Sequence, residues 1–181
     1  MNNKYAIQNT ITGKELRSCR IRLKMTQQAL ADFTGVSKKT IERWESSDEP
    51  VKGPVAPLLK LLSENPALLN YYEIPEKKDG IRLWYMFKDE ICTLIDVNDR
   101  LRTVHIRNYT ERMQFRAFGV NENPTYSDYE EFLRSRCFPE SRDRLKLILK
   151  ELDIPFYDPF LIIEKTEGRM AEDDFWFRIE R

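Results

Sequence analysis

The stretch from Thr26 to Glu45 constrains this chain more than any other. Thr26 suits the cap of a first helix, because its side-chain oxygen can accept a free backbone N–H there. Leu30 points inward, and Ala31 is small where two helices must approach closely. Gly35 falls at a sharp turn, where a positive φ is costly for other residues. Val36 plugs the angle between the helices, Ser37 caps the second helix, and Ile41 and Trp44 bury its inner face. A small residue, a glycine and then an apolar plug is the spacing that a tight helix-turn-helix needs.

The outer face of the second helix carries Lys38, Lys39, Thr40, Glu42 and Arg43. Its first turn would enter the DNA major groove, where short polar and basic side chains reach base edges and phosphates. An arginine can bond two acceptors on guanine at once. Gln27 opens the preceding helix, where a side chain and backbone N–H groups suit a phosphate.

At these positions the Thr-Gln-Gln-x-Leu-Ala, Gly-Val-Ser and Thr-Ile-x-Arg-Trp-Glu elements resemble the Cro/phage-repressor family of regulators, also called the XRE family. The resemblance spans about Gly13 to Asn70. It implies a five-helix domain that binds as a dimer to two half-sites of double-stranded DNA, a palindromic operator. Carried over, Lys38, Lys39, Thr40 and Arg43 would read bases, with Gln27 and Ser37 on the DNA backbone. One departure stands out: the family's glycine after Trp-Glu is replaced by the longer, more acidic Ser46-Ser47-Asp48-Glu49-Pro50.

The whole chain carries no net charge, so the distribution matters more. Residues 1–75 hold eleven basic and eight acidic side chains, a net +3, and the remainder nineteen and twenty-two, a net −3. With 41% hydrophobic and 33% charged residues, the composition suits a globular protein with a core. Cys19, Cys92 and Cys137 share no metal-ligand or redox spacing and are expected as reduced thiols. No apolar run approaches the ~20 residues of a membrane span, and a cytoplasmic protein is expected.

Apolar residues recur at helical spacing from about Gly13 to Tyr72, after a loose ten-residue arm. Glu73 to Gly80 reads as a linker between a domain at 1–75 and another at 76–181. The period then changes. Ile81–Phe87, Ile91–Val97 and Leu101–Arg107 predict a three-stranded antiparallel meander. Helices are expected over Ser127–Arg134, Ser141–Leu152 and Asp158 to about Lys165, with Gly168 as the stop. Arg136-x-x-Pro139-x-x-Arg142 would open the second of these, and Phe175 to Ile179 a final strand or docking segment. The fold class is therefore α+β, an all-α N-terminal domain followed by a meander with helices.

The stretch from Gly80 to Ile179 resembles the small N-terminal subdomain of HipA-like toxin kinases, whose partners are XRE-type antitoxins. This implies a toxin or other protein partner. It lacks a glycine-rich phosphate loop, a catalytic-loop Asp with a downstream Asn, and Asp-Phe-Gly. Asp173 and Asp174 are adjacent, so on a strand they would point to opposite faces, and no metal site is expected. His105, the sole histidine, reads as a strand residue. The aromatic residues of this half read as core. The chain is expected to be a repressor, an antitoxin-type autoregulator without cofactor or enzymatic activity. The alternative is a phage- or plasmid-type regulator whose second domain senses a small molecule.

Overall fold

A computed structural model describes residues 6–77 and 80–181. The chain divides into two units, residues 1–73 and 74–181. The first five residues of the expected arm, and Lys78 and Asp79 of the expected linker, lie outside the described residues.

Unit 1 runs through β1 (Thr10–Ile11), α1 (Gly13–Arg22), α2 (Gln27–Thr34), α3 (Lys38–Ser46), β2 (Val51–Lys52), α4 (Val55–Glu64) and α5 (Ala67–Tyr72). Local chemistry starts each of the first three helices. Thr12 and Glu15 form a reciprocal capping box on α1, each satisfying a backbone N–H of the other. Thr26 accepts from the Ala29 N–H at the head of α2, and Ser37 from the Thr40 N–H at the head of α3. Gly35 closes α2 with φ 68°, in the left-handed region expected of it.

The expectation of an all-α domain is corrected by β1 and β2. Ile11 pairs with Val51 and Thr10 with Lys52, so part of the expected arm is a strand. Both apolar partners are buried, at 8% and 6% exposure. The ribbon therefore adds to the core that Leu16, Leu30, Ala31, Ile41, Val55 and Leu59 make.

Unit 2 contains β3 (Ile81–Phe87), β4 (Glu90–Asn98), β5 (Thr103–Asn108), α6 (Tyr126–Ser135), α7 (Leu145–Glu151), α8 (Pro159–Thr166) and β6 (Phe175–Glu180). The meander is three strands of a four-stranded antiparallel sheet ordered β5-β4-β3-β6. The chain's final strand returns to pair with β3, Phe175 opposite Phe87 and Glu180 opposite Arg82. It is the strand reading of that segment, not a docking segment, that holds.

One sheet face packs Leu83, Tyr85, Ile95 and Phe177 against Tyr129 and Leu133 of α6 and Ile162 and Ile163 of α8. Tyr85 stacks on Phe175 with centroids 4.9 Å apart. The other face carries Trp84, Met86 and Leu94, with the buried pair Arg82–Asp96 held by two bonds of 2.7 Å. Both faces of β3 and β4 are buried, which accounts for apolar residues at successive positions along them, with Arg82, Thr93 and Asp96 as buried polar exceptions.

The helix boundaries need two corrections. Arg136 does not open a helix; it caps the C-terminal end of α6. Helix α7 begins at Leu145, after Arg144 in a left-handed conformation, so it is shorter than expected. Arg136 instead reaches across to the approach of β6. Its guanidinium donates to Asp173 and to the carbonyls of Gly168 and Phe175. Asp173 is thus a structural partner of Arg136, whose hydrogen bonds hold the Asp173 carboxyl below the usual range. Gly168 is required where it stands, because a Cβ there would come within 2.7 Å of the Phe177 ring.

Candidate nucleic-acid interface

Helix α3 presents its outer face from a rigid mount. Ile41 is fully buried beneath it, and Val36 and Trp44 pack half-buried on the same core. The turn before it is fixed by the Val36 N–H donating to the Ala31 carbonyl at 3.1 Å. Ala31 is itself fully buried, as its small size foretells.

Lys38, Lys39 and Arg43 all lie exposed on α3. Lys38 forms an i,i+4 pair with Glu42 at 3.5 Å, a weak exposed contact that a phosphate could displace. Among the described residues neither Lys39 nor Arg43 has an ion-pair partner. Thr40 is half-buried, and its hydroxyl lies 2.9 Å from that of Ser37. The Ser37 hydroxyl caps the helix and retains capacity for one further partner, and the Thr40 hydroxyl retains more.

Gln27 opens α2, as the sequence places it, and it also has an internal partner. Its side-chain amide donates to Glu45 Oε2 at 2.8 Å, so half of its donor capacity is used inside the protein. Glu45 also receives Arg20 Nη2 at 3.0 Å, and Arg20 Nη1 donates to the Met25 carbonyl at 3.0 Å. Burial alone would push the Glu45 carboxyl up. The hydrogen bonds from Arg20 and Gln27, with the charges of Arg20 and Arg17, outweigh it and hold the carboxyl below the ordinary range.

This network floors an open cleft of about 640 Å³ at the head of α2. Arg20 is neutralised there by Glu45, whereas Arg17 and Lys24 bring two further cations to its rim. Glu42 also lines the cleft, so its lining keeps one cation in excess, beside the positive N-terminal end of α2. Arg17 and Lys24 are residues that sequence reasoning passed over. Their signal was present, as cations on the helix and turn just before the Thr26 cap.

Of the six residues the sequence singles out, Ser37, Lys38, Lys39 and Thr40 form one consecutive run at the head of α3, and Arg43 lies further along the same helix. Gln27 stands apart at the head of α2. Among the described residues no group of three or more His, Cys, Asp and Glu side chains could hold a metal ion. Cys92 and Cys137 are buried, and burial pushes the Cys137 thiol up to about 12. None of the described helices is long and apolar enough to cross a membrane.

Residues 16–55 match the family model described as Helix-turn-helix. The match contains α2, Gly35 and α3 entire, and it marks this segment as a DNA-binding helix-turn-helix of the transcription-regulator type. No curated protein and no solved structure matched the chain. The resemblance of unit 2 to the HipA-like kinases gains no support from these comparisons.

Proposed function

We propose that this chain is a sequence-specific repressor that binds a palindromic operator as a homodimer, with α3 of each copy in the major groove. Lys38, Lys39, Thr40 and Arg43 read base edges in this proposal, and Ser37, Gln27, Arg17 and Lys24 hold phosphates. The observation that carries it is the exposed cationic face of α3, standing directly after the left-handed Gly35 and backed by fully buried Ile41. A helix so mounted has a fixed angle to its neighbour, which groove reading requires.

In its most specific form the proposal makes the chain an antitoxin-type autoregulator, with unit 2 holding a HipA-like toxin and assembling the dimer. That form rests on the sequence resemblance of residues 80–179 alone. Selection of binding sites from random duplex DNA by the full chain tests the reading. A recovered palindrome, with half-sites about one helical turn apart or a multiple of it, is the expected result. Recovery of no consensus would leave an electrostatic DNA binder without base readout and defeat the proposal.

A further inference from the structure

The second unit holds a cavity of about 580 Å³ where the β4–β5 turn, α6 and the head of α8 meet. Its size falls within the range of small-molecule sites. Its wall carries four carboxylates, Asp99, Glu130, Glu140 and Asp158, and one cation, Arg134. Arg102 pairs with Glu130 at 3.3 Å, so even with both arginines counted the acids are in excess by two. Two of the acids have internal work. Asp99 accepts the Tyr126 hydroxyl at 2.9 Å, and Asp158 caps α8 through the Leu161 N–H. Glu140 is exposed and has no hydrogen bond or ion pair among the described residues.

Tyr129 supplies a separate observation. It is 3% exposed, yet its hydroxyl has no hydrogen-bond partner among the described residues. A buried tyrosine hydroxyl normally finds one. Nor is this hydroxyl sealed within the protein, since the only fully enclosed side-chain polar atom without a partner among the described residues is Ser63 Oγ. The Tyr129 hydroxyl therefore meets the cavity that its residue lines. Burial raises its ionisation above the ordinary tyrosine value, and the charges of Asp99, Asp158 and Glu130 raise it further. Those three carboxylates disfavour a negative charge at that oxygen.

We propose that this cavity binds a small organic cation, an amine or guanidinium on an apolar body. The ligand's N–H groups would donate to the Tyr129 hydroxyl and the Glu140 carboxylate. Its body would lie against Leu133, Phe160 and the tyrosine rings, whose faces attract cations. The site lies wholly within residues 74–181 and does not depend on the DNA-binding reading.

Calorimetry on the full chain with tyramine and with agmatine tests it, beside neutral 4-ethylphenol and anionic 4-hydroxyphenylacetate. At least one of the two cations should bind at millimolar concentration or tighter, and neither control should. Tyr129→Phe and Glu140→Gln should each weaken that binding about tenfold, as expected for a lost hydrogen bond to a charged group. Both variants should keep the parent's melting temperature and DNA gel shift, so failure of either reading is distinguishable. The proposal falls if neither cation binds, if the controls bind equally, or if both variants bind as the parent does.

Discussion

Arg20 on α1 and Glu45 on α3 meet in a two-pronged ion pair, Nε to Oε1 at 2.5 Å and Nη2 to Oε2 at 3.0 Å. Their side chains are only 12% and 6% exposed. The pair joins the last turn of α1 to the last turn of α3, and Gln27 adds the head of α2 to the same carboxylate. Three helices of the helix-turn-helix thus converge on one acid. Glu45 fixes the outer end of α3, as Ile41 fixes its middle.

Glu45→Ala should therefore destabilise the chain by about 3 kcal/mol, because it strands a largely buried guanidinium. The pH dependence has a definite sign. The folded Glu45 carboxyl titrates below its unfolded value of about 4.3, so its contribution is complete above that value and is lost as pH falls through the folded one. Thermal melts of the parent and Glu45→Ala should differ most at neutral pH and converge in acid. A gap that widens in acid would show that Glu45 does not act through its charged form.

Two glycines in unit 1 are needed for different reasons, and substitutions should separate them. A Cβ on Gly13 would collide with the Trp44 carbonyl oxygen and come within 2.9 Å of that of Ser47. The start of α1 presses on the end of α3 there, so Gly13→Ala should cost about 1–3 kcal/mol through overpacking. Around Gly35 nothing lies within 4 Å of a Cβ, and the constraint is its φ of 68°. Gly35→Asn should then be tolerated better than Gly35→Val, since asparagine visits this region and β-branched residues do not. Equal melting temperatures for the two Gly35 variants would refute the conformational account.

The helix-turn-helix was legible because its information is local. Caps, the turn glycine and the apolar spacing all lie between Thr26 and Glu45, within reach of one another along the chain. The ribbon was not legible. Thr10–Ile11 and Val51–Lys52 are each two residues long, too short to show a period, and some forty residues separate them. Arg136 and Asp173 were visible as residues but not as partners, since only the return of β6 beside β3 brings them together. Glu45 was read as part of a motif element, and its task depends on Arg20, which lies outside the motif. Tyr129 read as core and is core, apart from its hydroxyl.

Within the proposed interface, base reading and phosphate contact predict different losses. Lys39→Ala or Arg43→Ala should cost about 1–3 kcal/mol on the operator and less on random DNA, if the residue reads a base. Arg17→Ala and Lys24→Ala should weaken both alike and each reduce the salt slope by about one. Gel shifts across a salt series on both duplexes distinguish the classes. Equal losses on operator and random DNA for Lys39 and Arg43 would reassign them to phosphates.

Separation of the two units tests the proposed division of labour, and the place of the cut matters. Arg82 is buried, and three of its nitrogens are satisfied, two by Asp96 and Nη1 by the Pro75 carbonyl at 2.9 Å. A fragment 74–181 keeps that carbonyl, whereas 80–181 strands the Nη1 donor. The shorter fragment should be less stable by about 1–3 kcal/mol, the cost of an unpaired buried donor. Residues 1–73 should fold alone but bind the operator weakly, since two linked half-site readers gain about 10²-fold or more from effective concentration. Their salt dependence should be shallower, because fewer phosphates are neutralised per binding event. Fragment 74–181 should not shift DNA and should self-associate in sedimentation. If residues 1–73 dimerise and bind as tightly as the full chain, assembly resides in unit 1. Unit 2 would then have to act on DNA binding through what it holds, and the cavity beneath Tyr129 would be the first place to look for it.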